Sequence, residues 1–212
     1  VIPLFGDDPK PLKNIVTVAK ANGDFTSPVA AVNSILNASA NNPYLVVIGP
    51  GVYTIGQTLV MKPYVDIVGS GENVTKLTGA ISADTRDGDA AMVSGANHAA
   101  LSFLTVENTG GMLYSLAIYN GSASLQMSHV TAKASGGTVS NYGVVNASSS
   151  STMRDVTATA SGGGESYGVY NTASSPTLRE VTARGSGATG SNYGILNASS
   201  STTMSEVTAT AS

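Results

Sequence analysis

The 212-residue chain contains no cysteine, which excludes disulfides, thiolate metal sites and a cysteine nucleophile. Charge is also scarce: Asp, Glu, Lys and Arg make up 11% of the residues, against about 25% in ordinary globular domains. Only ten Lys and Arg are present, they are scattered, and the formal net charge is −3. The basic stripe of a nucleic-acid binder is therefore missing, and no nucleic-acid partner is expected. No apolar run reaches the roughly 18 residues that mark a membrane-spanning helix. No signal peptide is visible, and the chain begins at Val1 without Met, the start expected of a processed or trimmed chain. Lack of cysteine is compatible with export, since many exported bacterial proteins have none.

The place of the missing charges is taken by Ser, Thr, Ala, Asn and 24 Gly, in a chain that is 42% hydrophobic. Disordered chains combine low hydrophobicity with high charge, the reverse of this composition. An ordered, sheet-rich protein is expected. Five N-x-S/T sequons, at Asn37, Asn73, Asn120, Asn146 and Asn197, are what turn chemistry produces in so Asn- and Ser-rich a chain, and glycosylation is not inferred from them.

One phrase recurs. Tyr142, Tyr167 and Tyr193 are 25 and 26 residues apart, and Asn120, Asn146, Asn171 and Asn197 follow at 26, 25 and 26. Met127, Met153, Leu178 and Met204 keep this step, as do Val130, Val156, Val181 and Val207; Leu101 and Leu104 extend it one unit back. Within a unit, "YGVVN" and "VTATA" alternate with period 2, and Gly and Ser clusters punctuate them. A unit of about 25 residues made of short strands and tight turns is one coil of a β-solenoid, which hides its inner side only by stacking on its neighbours. The leucine-rich alternative needs a Leu/Asn consensus that is absent. The fold class expected is all-β: a single-stranded right-handed parallel β-helix with a short N-terminal capping helix. That helix is read from "SPVAAVNSILNAS", with Ser27 as N-cap, Pro28 at the first helical position and an apolar stripe of Val29, Val32, Ile35 and Leu36.

Alternation assigns faces. Val156, Ala158 and Ala160 point inward, and Thr157 and Thr159 outward. Tyr142, Val144 and Asn146 share one side. Asn120, Asn146, Asn171 and Asn197 then form an inward amide ladder, with a ligand-binding Asn row as the alternative. Tyr142, Tyr167 and Tyr193 are expected as a stacked row inside the coil, with an outer sugar-stacking platform as the alternative. The outward Thr pairs are interrupted by Lys133 and Arg184, which makes a poor ice-binding array.

The segments "VTVAKANGDF", "YLVVIGPGVYTI", "VDIVGSGENVTKLTG" and "LSFLTVENTGG" closely resemble, in order and spacing, the N-terminal half of the pectinesterases (pectin methylesterases). The resemblance covers about residues 14–120 and implies a right-handed parallel β-helix. It divides a single domain, residues 1–212, into an N-terminal strand and capping helix (1–43), pectinesterase-like coils (44–120) and uniform repeat coils (121–212). The last unit stops inside "VTATAS", so the natural protein continues or its final coil is uncapped.

What the resemblance implies for chemistry is mostly loss. Tyr114 in "YSLAIYN" stands where the family carries an oxyanion-stabilising Gln. "KASGGTVSN" replaces its QD motif and general-acid Asp. The segments holding the nucleophilic Asp and the Arg have no counterpart, and "GVYTI" lacks the Glu of GxYxE. Ester hydrolysis by that route needs nucleophile, acid and oxyanion donor together, so no catalytic residue and no cofactor are assigned. Asp84, Asp87 and Asp89 in "DTRDGD", near Arg86 and His98, form a faint calcium-loop pattern, with a solvated loop as the plainer reading. His129, Asp155, Glu180 and Glu206 make one charged position per coil, read as a polar corner relieved by Arg154 and Arg179, or as a weak metal-binding edge. The expectation is a non-catalytic exported bacterial protein, extracellular or on the cell surface, serving as a stalk, adhesin or polysaccharide-contacting module. A carbohydrate-active enzyme with another site, and a solenoid that associates end to end, are the alternatives.

Overall fold

A computed structural model describes residues 14–212; positions 1–13 of the expected N-terminal segment lie outside the described residues. In chain order the elements are β1 (Asn14–Val18), α1 (Pro28–Ser34), β2 (Tyr44–Ile48), β3 (Gly51–Thr54), β4 (Leu59–Val60), β5 (Val65–Val68), β6 (Thr75–Gly79), β7 (Ala91–Ser94) and β8 (Ala100–Asn108). The repeat region follows as β9 (Tyr114–Gly121), β10 (Gln126–Ser135), β11 (Ser140–Ala147), β12 (Thr152–Ser161), β13 (Glu165–Thr172), β14 (Thr177–Ser186), β15 (Ser191–Ala198), β16 (Thr203–Ser205) and β17 (Thr208–Ala211).

Parallel pairing is what the period demands, because a residue 25 or 26 positions on must lie on its predecessor. Met127 pairs with Leu101 and Met153, Met153 with Leu178, and Leu178 with Met204. The first sheet runs β1-β2-β5-β8-β10-β12-β14-β16, and the second runs β15-β13-β11-β9-β7-β4. This is a right-handed parallel β-helix. Leu101, Leu104, Met127, Val130, Met153 and Val156 line its interior, all at most 1% exposed.

Each long strand of the first sheet is bent at one residue in the left-handed region, Phe103 (φ 57°), His129 (51°), Asp155 (51°) and Glu180 (55°), and Glu206 (54°) holds the same place between β16 and β17. These residues drop out of the pairing, so Ser128 pairs with Arg154 and Val130 with Val156 while His129 is skipped. The bend divides the strand into two arms. In β8 one arm pairs with β5 and the other with β6, and in β14 they pair with β16 and β17. A second left-handed row, Ser122, Ser148, Ala173 and Ser199, turns the chain out of the second sheet.

Helix α1 packs its Pro28, Val29, Ala31 and Val32 into the core beside β1, β2 and β4. Ser27 Oγ caps it by accepting from Ala30 N at 3.3 Å. It is shorter than the apolar stripe suggested. Ser34 Oγ donates to Ala31 O, and Ile35 N turns back to Val32 O, so Ile35 is buried beyond the helix and Leu36 is left 89% exposed.

Candidate functional site

The asparagines stack as amides along the inside. Asn120 Nδ2 donates to Asn146 Oδ1 at 2.9 Å, Asn146 Nδ2 to Asn171 Oδ1 at 2.8 Å, and Asn171 Nδ2 to Asn197 Oδ1 at 2.7 Å. Asn120, Asn146 and Asn171 are fully buried, so the first two of these sequons are closed to modification in the folded chain. An amide can both donate and accept, so one residue type continues such a chain through every coil. The preceding coil has Gly95 at this place, where a Cβ would meet Asn120 Oδ1, and that oxygen is left without a protein partner.

The tyrosines correct the alternation argument. Tyr142, Tyr167 and Tyr193 do stack, with ring centroids 4.7 and 4.9 Å apart and planes within 6°. They lie on the outer face of the second sheet, not inside the coil. Tyr142 clusters with Leu116, Val145 and Tyr170, separately from the lumen that holds Val144 and Val169. Gly143 explains the change of side. It falls out of the pairing between Tyr142 and Val144. A Cβ on it would point across the lumen, 2.9 Å from Thr159 N and 3.1 Å from Ala158 C. Gly143 and Val144 both face inward, which shifts Tyr142 and Val145 outward together. The neighbouring strands skip the equivalent residue, so this is a bend shared by every coil, which a strict period of two cannot anticipate.

A loop roofs the first end of this aromatic row. Ala83 bridges to Tyr114 in β9, while Ala90 and Ala91 join the tyrosine cluster. Arg86 sits 4.5 Å over the Tyr170 ring and 5.6 Å over Tyr142, and donates to Tyr142 Oη at 3.4 Å. A guanidinium over aromatic faces is attracted by the quadrupole of the rings, which holds Arg86 on the row. Burial pushes the Tyr142 hydroxyl above its ordinary range, and burial together with a 2.7 Å bond to Glu165 raises Tyr167 further. The structure does not gather Asp84, Asp87 and Asp89. Asp87 caps the short 3₁₀ turn Gly88–Ala90, accepting from Asp89 N at 3.0 Å, and Asp84 is exposed.

The charged row lies at the bend of the first sheet. His129 Nδ1 is 2.6 Å from Asp155 Oδ2, and the imidazole stacks on Phe103 at 4.6 Å. Arg154 and Arg179 both turn to Glu180, at 3.6 and 3.5 Å. Glu206 belongs to the last coil and is exposed. Sequence reasoning passed over Glu72, which joins His129 and Asp155 here. It also passed over Asn141, whose side chain ties Gly137 N, Gly137 O and Gly162 O together at 2.8 to 3.0 Å. Glu72 lies outside the repeats and had no periodic signal. Asn141 had one, in its counterpart Asn192, which accepts from Ala188 N in the same way.

The coils and their inner amide stack define a pectinesterase-like right-handed parallel β-helix. Its backbone is similar to three solved pectin methylesterases. The enzyme PemA from Erwinia chrysanthemi matches 77% of this chain at 16% identity and TM-score 0.55. The carrot enzyme matches 77% at 16% and 0.52, and a mutant pectin methylesterase in complex with a hexasaccharide matches 77% at 17% and 0.51. The matched parts are 54%, 62% and 55% of those chains, so this chain spans little more than half of their length. No protein-family model and no curated protein sequence matches it.

Proposed function

We propose that the chain is a non-catalytic β-helix module of an exported, cell-surface or extracellular bacterial protein, contacting polysaccharide through the outer face of its second sheet. The observation that carries this reading is the make-up of that face. By resemblance, β9 is the strand on which the esterases place their oxyanion Gln. Here it bears Tyr114, and the neighbouring strands bear stacked tyrosines under Arg86, where ester hydrolysis would need paired carboxylates. The accessible members of this face are half-buried Tyr114, Tyr119 and Tyr193 and exposed Arg86, and aromatic edges with a cation on the same face suit sugar rings that carry acid groups. The uniform inner stacks support the same reading, because repetition of identical coils builds length and not a unique cleft.

Two measurements test it together. Purified protein incubated with methyl-esterified pectin should release no methanol above a buffer control, and sustained release would refute the non-catalytic reading. Affinity electrophoresis against a panel of neutral and acidic polysaccharides should show retardation that Arg86→Ala weakens. Equal mobility in every gel would remove the polysaccharide contact.

A further inference from the structure

At the bend of the first sheet, three side chains far apart in sequence converge. Glu72 comes from the turn between β5 and β6, His129 from the bend of β10 and Asp155 from the bend of β12. Their ligand atoms all lie within 4.8 Å of one another. We propose that these three residues form a binding site for a borderline divalent transition-metal ion of the zinc class.

The donor set selects the ion. An imidazole nitrogen with two carboxylate oxygens suits Zn²⁺ and its neighbours, whereas Ca²⁺ and Mg²⁺ prefer an all-oxygen shell. Two of the ligands, Glu72 and His129, are held by contacts of their own. The main chain of Glu72 is fixed by Thr105 Oγ1, which donates to its carbonyl at 2.6 Å, and its carboxylate accepts from Thr131. Thr105 and Thr131 are register partners on adjacent strands, so the turn is fastened across two coils. The His129 ring is oriented by its stack on Phe103, with planes 17° apart. Asp155 occupies the next rung of the same left-handed row. Glu72 and His129 are thus set in place by independent supports, and Asp155 rests against His129 at 2.6 Å, a contact that the ion replaces.

Charge points the same way. Two carboxylates meet at one imidazole, while the arginines on the neighbouring rungs, Arg154 and Arg179, are turned to Glu180. A cation at this place offsets the mutual repulsion of Glu72 and Asp155. It also ties the turn before β6 to β10 and β12, so binding stabilises the folded chain. Among the described residues three protein ligands are offered, fewer than the four of a closed zinc site, as in three-ligand zinc sites with an open position.

The test is calorimetric titration of the 212-residue chain with ZnCl₂, followed by Co²⁺ substitution read in visible absorption. The expected result is one saturable site per chain, a Co²⁺ band of nitrogen–oxygen ligation, and a higher thermal midpoint with Zn²⁺. Glu72→Gln, His129→Asn and Asp155→Asn should each weaken binding by about tenfold or more, while Asp84→Asn leaves it unchanged. Asn tolerates the left-handed backbone at 129 and 155, and circular dichroism verifies that each variant is folded. Absence of saturable binding overturns the proposal. So does binding that Glu72→Gln and His129→Asn leave intact, or that Asp84→Asn abolishes.

Discussion

Tyr142 and Tyr167, 25 residues apart in the chain, lie ring on ring at 4.7 Å with planes 4° from parallel, outside the second sheet. The spacing is that of neighbouring strands, about 4.8 Å, so the stack needs no distortion of the backbone. Burial sets the chemistry of these hydroxyls. Tyr142, Tyr167 and also Tyr53 in the core are raised above the ordinary tyrosine value of 10.0.

An alkaline limit follows. The unfolded chain loses these protons near pH 10 while the folded chain keeps them, so above that pH the unfolded state binds fewer protons and stability falls. Stability from this source is complete below pH 10 and declines as pH rises toward the folded values. Tyr167→Phe removes one such group and should make the decline shallower, by up to about 1.4 kcal/mol per pH unit. Urea unfolding at several values between pH 9 and 11.5 measures it; parallel curves for the two proteins would contradict the assignment.

The inner ladder predicts a cost for any gap. In Asn146→Ala the Asn120 amide loses its acceptor, and Asn171 Oδ1 and Ser151 Oγ lose a buried partner. Ser151 keeps Ser149 as a partner, which leaves two stranded groups at about 1–3 kcal/mol each, so a total loss of roughly 2–6 kcal/mol is expected in denaturant unfolding. A change under about 0.5 kcal/mol would show that the amides are individually dispensable.

The inward glycine of this shared bend tolerates no side chain. A Cβ at Gly143 would lie 2.5 Å from Gly168 O and 2.9 Å from Thr159 N, both backbone atoms that cannot swing aside. Gly143→Ala should lower stability by roughly 1–3 kcal/mol, the usual cost of overpacking. Gly56→Ala, where no atom lies within 4 Å, is the matched control and should be near neutral. Equal midpoints for the two variants would rule out the crowding.

The left-handed corners offer a gain. Ser148 is exposed with φ 51°. Glycine removes a strain of about 1–2 kcal/mol there and adds about 0.5–1 kcal/mol of unfolded-state entropy. Ser148→Gly should therefore raise stability by about 0.5 kcal/mol, read as a later urea midpoint at unchanged slope. An earlier midpoint would mean that the serine hydroxyl supports the corner.

The sequence by itself determined what periodicity can encode. The 25- and 26-residue step placed Leu101, Met127, Met153, Leu178 and Met204 in one row, and alternation turned Val156, Ala158 and Ala160 inward, because stacked coils must repeat their inner side chains to bury them. The resemblance of residues 14–120 to the pectinesterases pointed to the same solenoid. The tertiary structure decided everything that departs from the period or joins distant segments. The unpaired, inward Gly143 put Tyr142 outside, since two successive inward positions, Gly143 and Val144, break the alternation. The helix stopped at Ser34 because a side-chain bond turned the backbone back. Arg86 reached the tyrosines, and Glu72 reached His129 and Asp155, only through loops that fold across the coils. Such contacts span up to 84 residues of chain, from Arg86 to Tyr170, and no local pattern records them.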